Sequence, residues 1–283
     1  MFERFSRSWN LIKASAGVLS KDKELLVFPL LSTICSLIVL AAFVLPALGM
    51  GALDNLHSGS AGTRVGVYVL AFLFYLVQYF VIFFFNSALV GAAMIRLDGG
   101  NPTVGDGLGI AFRKLVPILG YAAIAATVGL ILRSMQERAG FLGRIAIGLI
   151  GVAWTVATFL VVPVLVTRNI GPIDALKESA TLLKKTWGEN LIGQDGVGVV
   201  FGLFYALLAV VGIVAIALVG AGTQNAMLAG VTAAIVAFAF VLTALIQAAL
   251  SGIYSAALYR YATAQETPAG FDSQLLQHSF AVK

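Results

Sequence analysis

The chain has 283 residues, of which 60% are hydrophobic and 11% charged, and it carries a formal net charge of +5. Soluble domains place charge on roughly a quarter of their residues, so this composition excludes an ordinary water-solvated domain and implies lipid as the solvent. The single cysteine, Cys35, excludes an intramolecular disulfide and a cysteine metal cage.

In chain order, Phe2, Phe5, Trp9, Ile12, Ala16 and Leu19 recur at spacings of three and four, with Arg4, Arg7, Ser8 and Lys13 between them. This spacing predicts an amphipathic helix. The first apolar run begins at Leu25, and no small-residue cleavage site follows it, so the first span is expected to be its own insertion signal. Six runs can satisfy their backbone hydrogen bonds as helices inside lipid: Leu25–Met50, Val65–Ile95, Leu115–Leu132, Gly143–Thr167, Val197–Val219 and Ala226–Tyr259. The second and sixth exceed the thickness of a bilayer and should tilt or continue past it.

Between spans two and three, Asp98-Gly99-Gly100-Asn101-Pro102 reads as a turn. A weak amphipathic helix follows through Val104, Leu108, Ala111 and Leu115, with Gly105, Gly107 and Gly109 lowering its propensity. After span four, Pro172 opens a third such segment, in which Ile173, Leu176, Ala180, Leu183 and Trp187 form the apolar stripe and Lys177, Lys184 and Lys185 the polar face. The expected architecture is all-α and integral to the membrane: one polytopic domain over 1–283, built as three repeats of amphipathic helix plus two spans. The repeats cover about 1–97, 98–168 and 169–262, and a tail follows over 263–283. The exits of spans two and six, Asn86-Ser87-Ala88-Leu89-Val90-Gly91 and Gln247-Ala248-Ala249-Leu250-Ser251-Gly252, support the repeat.

Orientation follows from the Lys and Arg distribution. With the N-terminus inside, the cytoplasmic segments hold 14 of these residues and the outer loops four, Arg64, Arg133, Arg138 and Arg144. Were span three a re-entrant loop, the balance would fall to 11 against 7. The first arrangement places both termini on the cytoplasmic side of the cell membrane, with the outer arginines reaching back to headgroups.

Two stretches, Lys21-Asp22-Lys23-Glu24-Leu25-Leu26-Val27-Phe28-Pro29-Leu30-Leu31-Ser32 and Gly171-Pro172-Ile173-Asp174-Ala175-Leu176-Lys177-Glu178-Ser179, resemble a family of uncharacterised prokaryotic six-span membrane proteins. That family is similar in turn to the membrane-embedded domain of some glycerophosphodiester phosphodiesterases. The resemblance implies the six-span fold and no catalytic residue, because the phosphodiesterase domain is absent from this sequence.

The 13 acidic residues all fall at span ends or in loops, so a proton relay at mid-membrane has no candidate. The polar residues within spans are uncharged: Gln78 and Asn86 in span two, Thr155 and Thr158 in span four, Thr243 and Gln247 in span six. They read either as a polar lining around an axis shared by the even spans or as interhelical hydrogen bonds. Small residues at four-residue spacing, Ser87/Gly91 and Ala248/Gly252/Ala256, suit close packing, and Pro46, Pro117 and Pro163 suit kinks. His57 and His278 each lack a second ligand at metal spacing, so no metal, cofactor or enzyme activity is expected. The positive charge belongs on a membrane face and not with nucleic acid. Arg4, Phe5, Arg7, Trp9, Lys13, Lys184, Lys185 and Trp187 are the expected interfacial belt. These residues predict a non-enzymatic module that binds membrane lipids, a membrane-protein partner or a further copy of the chain. The alternative is a channel or carrier for a neutral or lipophilic solute.

Overall fold

A computed structural model describes the backbone of residues 2–49, 61–187, 196–223 and 225–264, with side chains over 12–49, 65–184, 201–223 and 225–263. The described residues are helical and contain no strand. The elements are α1 (Phe2–Lys21), a 3-10 turn (Lys23–Leu26), α2 (Val27–Gly49), α3 (Ala61–Leu97), α4 (Val104–Arg113) and α5 (Leu115–Arg138). They continue as α6 (Phe141–Ala157), α7 (Val161–Thr167), α8 (Pro172–Trp187), α9 (Gly196–Thr223) and α10 (Ala226–Ala264). Six helical stretches are long and apolar enough to cross a membrane: Lys23–Gly49, Val65–Leu97, Leu115–Arg138, Phe141–Thr167, Phe201–Thr223 and Ala226–Thr263. At 37 and 39 residues, α3 and α10 are about 55–60 Å long, against a hydrocarbon core of about 30 Å, so both extend past it or tilt.

Span three is one continuous helix. Lys114, immediately before α5, donates to the Arg168 carbonyl at 2.7 Å and to Asn169 Oδ1 at 2.6 Å, whereas Arg133 near the other end of α5 donates to the Tyr75 hydroxyl. The helix therefore runs from the arginine-bearing end of span four to the level of Tyr75 in α3 without a break. Span four differs from the expected continuous run, because it divides into α6 and α7 around a turn at Thr158–Leu160. Pro163 has no N–H to give to the carbonyl of Phe159, and its ring disfavours a regular helix through that point.

The core is concentrated at one end. Residues Ser87–Met94 of α3, Leu160–Leu165 and Ala256–Tyr259 of α10 are all buried, and the terminal arginines of these spans, Arg96, Arg168 and Arg260, lie there. At this arginine end α3, α7 and α10 touch one another. Away from it α9 and α10 pack mainly on each other, and Leu207, Val210, Ile213, Phe238 and Val241 are exposed. Such apolar exposure is what lipid solvation permits. Each short helix closes the arginine end from outside: α4 against α3, α8 against α7, and α1 against α9 and α10.

The inner faces of these short helices are narrower than their sequence stripes predict. On α8 the buried stripe is Ala175, Ser179 and Leu183, while Ile173 and Ala180, expected inside, are exposed. Small residues let α8 approach α7 closely, so the contact face rotates away from the bulky residues. On α1, Ser15 and Val18 join Ile12 and Leu19 inside, and Lys13 and Lys21 are exposed. On α4 the inner residues are Gly107 and Ala111, with Val104 and Leu108 half-buried. A Cβ on Gly107 would lie 2.5 Å from Phe28 Cζ and 2.7 Å from the Ala88 carbonyl oxygen, so only glycine allows this approach to α3. Thr103 caps α4 in a reciprocal box: the Asp106 amide donates to its Oγ1 at 3.2 Å, and the Thr103 amide donates to Asp106 Oδ2 at 2.9 Å. The preceding turn is as expected, with Gly99 at φ 85°.

Candidate functional site

The arginine end gathers the ionised groups that the sequence scatters. Each even-numbered span finishes in an arginine, and each arginine meets a carboxylate from another segment. Arg96 Nε lies 3.1 Å from Asp22, in the connection between α1 and α2. Arg168 Nη2 lies 3.0 Å from Glu178 of α8, and Arg260 Nη1 lies 2.6 Å from Asp98, just past α3. The side chain of Asp22 is 8% exposed and that of Arg96 24%, so this pair is largely desolvated, and removing one partner would strand a charge. Arg96 also donates to the Gly100 carbonyl at 3.2 Å, which ties the α3–α4 turn to the same guanidinium. The Thr167 and Tyr259 hydroxyls sit 2.8 Å apart, and Arg168 Nε donates toward the latter at 3.4 Å, linking α7 to α10. Beside them, burial first and the adjacent Arg113 second push the pKa of Lys114 down.

The break in span four is the second feature of this end. Ser179 of α8 is fully buried, and its hydroxyl donates to the Ala157 carbonyl at 2.7 Å and accepts from the Leu160 amide at 3.1 Å. The turn between α6 and α7 is wound tighter than an α-helix: the Phe159 amide donates to Val156 and the Val161 amide to Thr158, both three residues back at 3.0 Å. This winding withdraws the regular partners of Ala157 O and Leu160 N. One serine from a different helix replaces both.

The predicted polar positions fall into two groups. Thr155, Thr158 and Thr243 each donate to the carbonyl four residues back, at 3.0, 2.9 and 2.8 Å. Their hydroxyls are satisfied by their own helices. Gln78, Asn86 and Gln247 are half-buried. The Gln78 Oε1 atom is buried with no hydrogen-bond partner, and Asn86 lies beside Gly252, where Leu89 of α3 fills the space above the glycine. The spacing of Gly252 thus serves close packing of α3 on α10. In the interfacial belt, Lys13 and Lys184 are exposed, whereas the side chains of Arg4, Phe5, Arg7, Trp9, Lys185 and Trp187 lie outside the described ones. His57, His278 and the tail beyond Thr263 also fall outside them.

Sequence reasoning assigned Arg96, Arg168 and Arg260 to topology and did not pair them with Asp22, Glu178 and Asp98. A span-terminal arginine repeated three times was the available signal. Ser179 stands in the sequence only within the family-like stretch and without a role of its own, although it lies at four-residue spacing between Ala175 and Leu183 after a proline-containing span.

No curated protein matches the chain. Residues 65–271 match a family described as a family of unknown function, DUF6159. That stretch takes in well over half of the sequence, and the chain belongs to this family.

Proposed function

We propose that this multi-pass membrane protein is a non-enzymatic module that holds anionic lipid headgroups along its arginine end, which faces the cytoplasm together with both termini. The observation that carries this reading is the two-sidedness of α8: Ala175, Ser179 and Leu183 are buried while Lys177, Thr181 and Lys184 are exposed. Lys13, Lys21 and Lys23 are exposed on the first segment as well. Each cation near an anionic surface contributes about 1 kcal/mol of attraction. In the threefold order of short helix and span pair expected from the sequence, each pair would have such a helix.

The test is native mass spectrometry of protein released from bilayers of mixed phosphatidylglycerol and phosphatidylcholine. Retention of the anionic lipid, reduced several-fold in a Lys177→Gln, Lys184→Gln, Lys185→Gln variant, supports the reading. Equal retention of both lipids by the unaltered chain refutes it, and a co-purifying membrane protein in place of lipid would redirect it to a protein partner.

A channel or carrier for a neutral or lipophilic solute has one observation in its favour, the buried and unpartnered Oε1 of Gln78. Solute flux into proteoliposomes that falls in Gln78→Leu would support that second reading.

A further inference from the structure

The two groups that Ser179 engages are the ones an uninterrupted helix would satisfy by itself. In the regular pattern the Leu160 amide donates to Val156 O, and Ala157 O accepts from the Val161 amide. Val156 O is instead taken by Phe159, the Val161 amide is given to Thr158, and the Ser179 hydroxyl supplies the difference. Residues 156–161 can therefore satisfy these groups in two discrete ways, one with α8 seated and one without it. Such a choice between two complete pairings makes an element bistable.

We propose that α8 is a latch on span four. Seated, it holds the break between α6 and α7; withdrawn, it lets Thr158–Leu160 rewind and swings α6 relative to the core formed by α3, α7 and α10. The seat is built for this. Pro172, at the start of α8, packs against Gly120 of α5, where a Cβ would come within 2.9 Å of the proline ring, so this end of the helix is a fixed pivot. The Arg168–Glu178 pair at 3.0 Å sits one residue from Ser179 and fastens the seat from its polar side. In the rewound form the ring of Pro163 crowds the carbonyl of Phe159, which stops the straight helix from winning outright. In α6, outside the break, Leu149, Ile150 and Val152 are exposed and Ile147 is the one buried residue, so a swing is opposed by lipid and by the contacts of α6 with α5 and α8.

Spin labels at Leu149→Cys on α6 and Phe238→Cys on α10, in a Cys35→Ala background, read the swing as a distance distribution in nanodiscs. With Ser179 present one distance dominates. Ser179→Ala moves the majority of molecules to a second distance, and Ser179→Thr, which keeps a hydroxyl, leaves the first in place. Glu178→Gln, which loosens the seat without touching the bridge, raises the second population several-fold and decides the matter if Ser179→Ala does not fold. An unchanged distribution in the folded alanine variant, or in Glu178→Gln where the alanine variant is not recovered, overturns the proposal and assigns the break to Pro163 alone.

Discussion

Replacing Gly107 with alanine sets two effects of known sign against each other. In the middle of a helix, alanine is favoured over glycine by about 1 kcal/mol. At position 107 the added methyl would meet Phe28 Cζ at 2.5 Å and the Ala88 carbonyl oxygen at 2.7 Å. Phe28 is 1% exposed and Ala88 is fully buried, so neither side of the contact can yield without displacing the core of α3. Overpacking of this kind costs about 1–3 kcal/mol. Gly109 lies on the same helix, and its added methyl would find only Arg113 Nη1, at an ordinary 3.7 Å. The propensity gain is common to both positions, so the stability difference between Gly107→Ala and Gly109→Ala isolates the contact and should be about 1–3 kcal/mol. Gly109→Ala should be at least as stable as the unaltered chain, and Gly107→Ala less stable. Titration of micellar protein with SDS, followed by tryptophan fluorescence, measures both. Equal midpoints for the two variants would show that α4 does not approach α3 as described.

Three further outcomes follow from the ion pairs and the helix cap. Asp22→Ala should destabilise the chain by about 1.5–3 kcal/mol, because it strands the largely buried Arg96, whereas Asp174→Ala, which breaks an exposed pair with Lys177 at 3.6 Å, should cost under about 0.5 kcal/mol; the same SDS titration compares them. The Thr103 side-chain and backbone hydrogen bonds hold the Asp106 carboxyl below its ordinary value of 3.8. Its contribution is therefore complete above that value and is lost as pH falls through the lower folded-state pKa, so stability should decline there in the unaltered chain and change less in Asp106→Asn. Tyr75→Phe removes the hydroxyl that Arg133 reaches, while Arg133 and Glu137 stay exposed at 64% and 66% and remain paired at 3.1 Å. Its midpoint should move by less than about 1 kcal/mol.

The spans were legible in the sequence because lipid imposes a requirement that each segment must meet alone: enough consecutive apolar residues to cross, with its own hydrogen bonds closed. Leu115–Leu132 met it, and the helix found there extends six residues further, through charged Arg133, Glu137 and Arg138, because nothing in those side chains ends a helix. The break in span four was not legible, because its cause is divided. Pro163 is visible as a kink, but it only makes the regular helix unfavourable. Which carbonyl and amide are surrendered depends on a hydroxyl that arrives from 19 residues beyond Leu160, and a serine in Glu178-Ser179-Ala180 looks like any surface serine until α7 is placed against it.

The same division explains the rotated face of α8. A stripe chosen by hydrophobicity selects Ile173 and Ala180, whereas the stripe chosen by packing is the smallest set that brings two backbones together, Ala175 and Ser179. In water, bulky apolar residues would win that contest, because burying them is the driving force. In lipid, exposing them costs little, and close approach with satisfied backbone groups decides the contact. The inner face of a short helix at a membrane end is therefore better sought among its small and hydroxyl residues than among its large apolar ones. By that rule Ser15, buried on α1 at 1% exposure with no partner for its hydroxyl, belongs to the inner face of α1, the helix that packs on α9 and α10. The partner of Ser179 is a broken span, whereas α9 and α10, on which α1 packs, are continuous helices whose backbone groups are paired within themselves. Ser15→Ala should accordingly leave stability unchanged or raise it, since it removes a buried polar group that makes no bond, whereas Ser179→Ala removes a bridge between two backbone groups and should lower stability, by at most about 2–6 kcal/mol at 1–3 for each, less what rewinding of Thr158–Leu160 recovers. Thermal unfolding of the two variants side by side tests the contrast, and a loss at Ser15 equal to that at Ser179 would refute it.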